Sequence, residues 1–302
     1  MTHVITVISR DAQLPSHTES EVQQLICAEV DPSPKKKVLS SRAVEYEVKI
    51  DNDDDVSRIT SFLKQKQLES TTYDIILQKA DRTKKMVVFD MDSTLIYQEV
   101  IELIAAYANI EDKVAQITER AMNGELDFTQ SLQERVLLLK GIDSTSIWDE
   151  LKLKLEITNG AVELCKALKK LGFVLMVCSG GFIPLAEHLK QKLGLDYAFA
   201  NQLGVDENQI LDGTTQGYIV NGEKKASLLT EIAGKHDIDT KQVLAVGDGA
   251  NDLPMMAAAG FGIAWNAKPR VQQLAPSCLN SKSLRDVLYI LGYTEQEIEA
   301  LI

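Results

Sequence analysis

Four short segments of the chain carry residues that could do chemistry together. The first follows the apolar run Met86-Val87-Val88-Phe89, which ends in two carboxylates, Asp90 and Asp92, and two hydroxyls, Ser93 and Thr94. Carboxylates this close repel one another and resist desolvation unless a cation or a shared proton compensates. The second is Ser179-Gly180-Gly181, behind the apolar run 173–178. A hydroxyl and free N–H groups at a helix N-terminus suit an anion such as phosphate. The third is Lys225, beside Lys224 in the first turn of a helix expected from about Glu223. A cation there opposes the helix dipole, a cost offset if it points into an anion site. The fourth is Asp248, Asn251 and Asp252, in a glycine-flanked segment after the run 243–247. Jointly they offer carboxylates to a hard, oxygen-preferring cation such as Mg²⁺, and a hydroxyl, N–H groups and an ammonium to phosphate oxygens. Each segment alone has a plainer reading: an acidic turn capped by Ser93 or Thr94, a strand-to-helix turn, a pair of solvated lysines. It is the combination, in this order, that carries the signal.

The elements that must position these residues alternate between strand and helix. Short apolar runs at 86–89, 173–178, 243–247 and 261–265 read as strands buried on both faces of a parallel sheet. Helices are expected at 159–171, from about 182 to 193 and from about 223, with a hairpin or small subsheet over 197–220. A parallel sheet aligns the strand ends along one edge, where ligands bind in such folds. Residues 98–155 read as almost wholly helical, broken at Asn123-Gly124 and Gly141, and suggest a cap of about 98–157 inserted over that edge. Ahead of all this, strands at 3–9, 38–50 and 73–77 and helices at 18–28 and 54–67 form a small α+β module over residues 1–82. The remainder, 83–302, is expected to be one α/β domain with a Rossmann-like parallel sheet. Asp51 to Asp55 fail as a calcium loop, having Val56 and Phe62 where glycine and glutamate belong, and read as a solvated helix cap. Pro34 to Lys37 read as a solvated turn.

Composition narrows the classes. With 45% hydrophobic and 25% charged residues in 302, the chain is ordinary for a globular protein and long enough for two domains. Its net charge of −12 argues against binding to nucleic acid or an anionic membrane surface. No apolar stretch is long enough for a membrane span, and the first residues lack the basic start and apolar core of a signal peptide. Four scattered cysteines fit reduced thiols in a cytoplasmic protein, and four scattered histidines offer no zinc site.

The four segments resemble, in order, the four motifs of the haloacid dehalogenase superfamily. Residues 119–128, 131–135, 178–182 and 196–201 are similar to the branch of that superfamily that hydrolyses phosphoserine, and the resemblance covers about residues 86–292. It implies that Asp90 attacks phosphorus and that Asp92 protonates the leaving hydroxyl, then deprotonates the water that hydrolyses the aspartyl-phosphate. It further implies Mg²⁺ held by Asp90, Asp92 (through its backbone carbonyl), Asp248 and, through water, Asp252. Ser179, Gly180 and Lys225 are implied to hold phosphoryl oxygens, with Asn251 orienting the site. In the cap, Glu99 is implied to face the substrate ammonium and Arg135 its carboxylate, with Met122 and Phe128 as pocket walls. Without the resemblance, the plainer reading is preferred: Met122 and Phe128 as cap core, and Glu99 and Arg135 as a solvated surface pair. The implied reaction converts O-phospho-L-serine to L-serine and phosphate, the last step of serine biosynthesis. A phosphotransferase, or a phosphatase for a related small phosphomonoester, is the alternative. Residues 1–82 are similar to the amino-acid-binding ACT fold but carry Arg10 to Leu14 where its glycine belongs. Regulation, packing and homodimerisation are therefore all open roles for that module.

Overall fold

The computed structural model describes residues 1–302, with the exception of the side chain of Met122. The chain opens with β1 (Thr2–Ser9), α1 (Ser16–Glu29), β2 (Lys35–Val38), β3 (Ala43–Lys49), α2 (Asp53–Glu69) and β4 (Tyr73–Lys79). These strands form an antiparallel sheet in the order β2-β3-β1-β4. One face, carrying Ile5, Val7, Val44, Tyr46 and Val48, packs on Val22 and Ile26 of α1 and Ile59 and Leu63 of α2. The period-2 alternation of β3 is what sorts these side chains to one face. Asn52 caps α2 by accepting the N–H of Asp55 at 2.9 Å, and Asp53, Asp54 and Asp55 sit at the positive end of the helix dipole. The acidic run is a helix start, as expected.

Two expectations fail in this module. Lys35 to Lys37 are not a turn but most of an edge strand, paired with Tyr46 and its neighbours in β3. The segment 38–50 is therefore the second half of a hairpin, and the order is βαββαβ rather than βαβαβ. Three consecutive lysines hide a strand because none is buried, so no alternation marks it; on an edge, they discourage pairing with another chain.

The larger unit continues with β5 (Met86–Phe89) and four helices, α3 (Val100–Ala108), α4 (Glu111–Met122), α5 (Phe128–Leu137) and α6 (Ser144–Lys154). Then come α7 (Ala161–Lys170), β6 (Val174–Phe182), α8 (Ile183–Leu193), β7 (Tyr197–Val205), β8 (Leu211–Gln216) and α9 (Gly222–Lys235). Last are β9 (Val243–Gly247), α10 (Leu253–Ala258), β10 (Phe261–Trp265), α11 (Pro269–Leu274), β11 (Ser277–Leu279), α12 (Val287–Ile290) and α13 (Glu295–Leu301). The sheet order is β11-β10-β9-β5-β6-β7-β8, parallel throughout except for the β7–β8 hairpin. Val87, Phe89, Leu175 and Val177 face one helical layer, while Met86, Val88, Met176 and Cys178 face the other. With both faces covered, these strands read as unbroken apolar runs. From β5 the chain moves out through β6 and β7, then returns to β9 on the other side, so a crevice opens at the C-terminal end of β5. No helix among the described residues is long and apolar enough to cross a membrane.

Here too the expectations need two corrections. Ser179, Gly180 and Gly181 do not open a helix: β6 runs on to Phe182 and α8 begins at Ile183. The sheet also gains β11, only three residues long and too short to leave a pattern in the sequence.

Candidate active site

Asp90 leaves β5 at the open edge of the sheet and is only 5% exposed. The chain then makes one wide turn, Met91–Leu95, closed by the N–H of Ile96 donating to the carbonyl of Met91 at 3.1 Å. Ser93 sits in this turn at φ 52°. A non-glycine residue there costs on the order of 1–3 kcal/mol and persists only where its surroundings enforce it. The N–H of Ser93 donates to Gln98 O at 3.2 Å, and its hydroxyl donates to Glu99 Oε1 at 2.7 Å. Asp92 Oδ2 accepts the N–H of Val100 at 3.1 Å, so the turn folds the start of α3 back over the strand end.

On the neighbouring strand, β9 delivers Asp248, whose Oδ1 accepts the Thr94 hydroxyl at 3.2 Å. Two glycines let Asp252 close in from behind. A Cβ on Gly247 would lie 2.4 Å from the Asp252 carboxyl carbon, and the Gly249 N–H donates to Asp252 Oδ2 at 2.9 Å. Asp90, Asp248 and Asp252 thereby offer oxygens that all lie within 4.8 Å of one another, near enough to hold one metal ion. The fully buried Lys225 ammonium donates to Asp90 Oδ1 at 2.7 Å and to Asp252 Oδ1 at 2.6 Å. One ammonium against three carboxylates leaves negative charge in excess. A hard cation with oxygen ligands fits that donor set.

The protonation equilibria reflect the same excess. Burial, and then the charge of Asp252, raise Asp90 well above the ordinary carboxylate range. Burial, and then Glu99, push Asp92 up to about 8; burial, and then Asp252, push Asp248 up to about 7. For Lys225 burial alone would lower the ammonium, but Asp252 and Asp90 outweigh it and hold it above its usual range.

A cavity of about 120 Å³ stands over these groups. Asp90, Asp92, Asp248 and Asn251 line its floor, Ser179, Gly180 and Gly181 one wall, and Glu99, Phe128 and Arg135 its cap side. Lys225 and Asp252 lie beneath the floor. A Cβ on Gly180 would come within 2.8 Å of the Phe128 ring, so only glycine lets the cap approach this closely. Ser179 is fully buried, and its hydroxyl oxygen accepts the N–H of Gly181 at 2.8 Å. Arg135 donates to the Thr118 hydroxyl at 3.2 Å, while its Nε is buried with no partner. Glu99 and Arg135 both line the cavity, Glu99 accepting the Ser93 hydroxyl and Arg135 donating to Thr118. The expected wall residue Met122 lies outside the described side chains. Ile101, Leu132 and Phe182 also line the cavity, and no sequence signal marks them, because at helical or strand spacing they look like any other core residue.

A parallel sheet covered on both faces, with an aspartate pair at its central strand end and a helical insertion above, is a capped Rossmann-like α/β domain with a carboxylate site at its sheet edge. The chain belongs to the haloacid dehalogenase-like hydrolases, whose family model matches residues 84–260. It is 47% identical to the phosphoserine phosphatase of Saccharomyces cerevisiae, over 98% of this chain and 97% of that one. Among solved structures, a haloacid dehalogenase-family hydrolase from Salmonella enterica serovar Typhi superposes with a TM-score of 0.81 at 27% identity, covering 95% of this chain and 98% of the other. A phospho-aspartyl intermediate analogue of phosphoserine phosphatase superposes with a TM-score of 0.64 at 41% identity, covering 69% and 99% respectively.

Proposed function

We propose that the chain hydrolyses O-phospho-L-serine to L-serine and inorganic phosphate through an aspartyl-phosphate on Asp90. The observation that carries this reading is a single cavity with two chemically distinct ends: aspartates, Ser179 and Gly180 at the sheet, Glu99 and Arg135 at the cap. The first end suits a phosphoryl group. The second suits an ammonium and a carboxylate, the carboxylate being a natural partner for a guanidinium fork. Near-full-length similarity to a phosphoserine phosphatase supports the same substrate.

In this reading Asp90 attacks phosphorus, and the bond to the serine oxygen breaks as Asp92 delivers its proton to that oxygen. A carboxyl raised to about 8 still holds the proton at neutral pH. Once serine has left, Asp92 takes a proton from the water that attacks the phosphoryl group, and Asp90 is regenerated. Ser179, the N–H groups near Gly180, and Lys225 balance the charge of the phosphoryl oxygens. Asp90, the Asp92 carbonyl, Asp248 and Asp252 would hold Mg²⁺, which neutralises charge that otherwise repels the phosphate from the carboxylates.

Residues 1–82 and 83–302 are taken as two domains, with 98–157 as the cap, a division supported by two separate sheets and by α3 to α6 falling between β5 and β6. A homodimer built on the N-terminal sheet would have to avoid the lysine-guarded β2 edge. A cytoplasmic setting is supported by four free cysteines, three of them buried. Phosphate release from L-phosphoserine, measured with Mg²⁺ and with EDTA beside other small phosphomonoesters, tests the whole reading. Mg²⁺-dependent preference for phosphoserine is expected; inactivity of the folded protein on phosphoserine would overturn it.

A further inference from the structure

The pairing of β6 with β7 loses register at the cavity. Cys178 stands opposite Phe199 and Phe182 opposite Asn201, so three residues, Ser179 to Gly181, face one, Ala200. Such a bulge lifts backbone out of the ladder and re-aims it, which is how Ser179 and Gly180 come to line a cavity from within a strand. Its cost is a carbonyl without a strand partner. The Asn201 side chain removes that cost: its Nδ2 donates to Gly180 O at 2.8 Å. The other end of the same amide, Oδ1, accepts the N–H of Val220 at 2.8 Å. Val220 immediately precedes Asn221, which caps α9 by accepting the N–H of Lys224 at 2.9 Å. Lys225 follows in that first turn. Asn201 itself is 1% exposed and does not line the cavity.

We propose that Asn201 is a positioning residue that ties the Ser179-Gly180 bulge to the start of the Lys225 helix. One buried amide thereby sets the spacing of the two segments that hold the phosphoryl oxygens. The role demands a donor and an acceptor on one short planar side chain. Asparagine supplies both, and an ionised aspartate in its place accepts only, turning an oxygen against Gly180 O. The inference rests on the phosphoryl-transfer reading of the site.

The test compares the full chain with Asn201→Ala, Asn201→Asp and, as a neighbouring control, Gln202→Ala, whose side chain is exposed. Turnover of L-phosphoserine with Mg²⁺ and inhibition by orthovanadate, which mimics the phosphoryl group in transfer, are both measured. In the two Asn201 variants kcat is expected to fall by about 10²-fold, the effect of misplacing reacting groups by about an ångström. Orthovanadate inhibition weakens by a similar factor, since the same donors stabilise both. KM stays close to wild type because the cap groups are untouched, and Gln202→Ala behaves as wild type. Unchanged turnover would overturn the proposal. So would reduced kcat with orthovanadate inhibition at full strength, which signals only a smaller folded fraction. The reaction and the positioning role fail separately. A wild-type chain inactive on phosphoserine removes the reaction, whereas direct orthovanadate binding, followed by the fluorescence of Trp148 against Phe182 (ring centroids 5.8 Å apart), still reads the cradle. Equal binding by wild type and Asn201→Ala would overturn the positioning role in that case too.

Discussion

The Asp92 carboxylate is held from one side only: Oδ2 accepts the N–H of Val100 at 3.1 Å, while Oδ1 is buried with no hydrogen-bond partner. Val100 opens the first cap helix one residue after Glu99, so the turn that brings Glu99 to the cavity also orients Asp92. The free oxygen lies beside Gly181, where an added Cβ would stand 3.4 Å from it. An oriented carboxyl with one unengaged oxygen, protonated at neutral pH, is the arrangement a general acid needs. Asp92→Asn keeps the hydrogen bond to Val100 and the shape but cannot exchange a proton. It is expected to fold normally and lose about 10²–10⁴-fold in kcat. Steady-state turnover of L-phosphoserine checks this, and near-wild-type turnover would remove Asp92 from proton transfer.

The crowded carboxylates also set how stability depends on pH. Asp92 and Asp248 are raised to about 8 and about 7 from the ordinary aspartate value of 3.8, and Asp90 is raised as well. Between those limits the folded chain binds more protons than the unfolded one, so stability falls as pH rises through the range. Without metal, Tm is expected to drop from about pH 5 to about pH 8.5. Mg²⁺ binds the deprotonated cluster and is expected to recover most of the loss at the upper end. Differential scanning calorimetry with EDTA and with Mg²⁺ measures both. A metal-free Tm that rises over this interval would contradict the electrostatic account.

What the sequence made legible is what is local. Asp90, Asp92, Asp248 and Asp252 announce themselves because polar residues abruptly end apolar runs, and a parallel sheet gathers such ends without further information. Ser179 was legible as a site residue but not in its setting. Two glycines mark a break between strand and helix, yet the bulge that keeps Ser179 inside β6 depends on Asn201, a distant partner. β2 leaves no trace in the sequence because its lysines bury nothing. Nothing in the sequence of the strand 73–77 marks Asp74 as fully buried, since part of the surface that covers it comes from the end of the other sheet's last strand. Long-range burial of this kind leaves no periodic trace.

Arg135 carries an unspent hydrogen-bonding group into the cavity wall. Its Nε is buried without a partner while Nη2 donates to Thr118 Oγ1 at 3.2 Å. A buried guanidinium N–H without a partner is costly unless a ligand engages it. Hydrogen bonds to a charged partner are worth about 1.5–3 kcal/mol. Arg135→Ala is therefore expected to raise KM for L-phosphoserine by about 10- to 100-fold, with little change for p-nitrophenyl phosphate, which has no amino-acid carboxylate. Equal losses on the two substrates would mean that Arg135 supports the cap and does not read the substrate.

Asp74 joins the two sheets. Its carboxylate accepts Arg10 Nη2 at 2.8 Å and Gln67 Nε2 at 2.7 Å from its own module, and the N–H of Asn280 at 2.9 Å from the residue after β11. Arg42 with Asp286, and Gln78 with the Ile290 carbonyl at 2.6 Å, fasten the same boundary. Removing one member of a buried ion pair leaves the other charge unpaired and costs about 3–5 kcal/mol. Against a total stability of roughly 5–15 kcal/mol, Asp74→Ala should lower the denaturation midpoint sharply. Asp74→Asn, which keeps acceptor capacity for Asn280, should lower it less. The strand that Asp74 contacts lies three places from β5 in the sheet, so turnover per folded molecule should not change. Urea unfolding curves and kcat on the same preparations decide the matter. Wild-type stability in Asp74→Ala would show that the boundary is held by apolar contact alone, and lost turnover in a stably folded variant would reveal that the N-terminal module acts on the site.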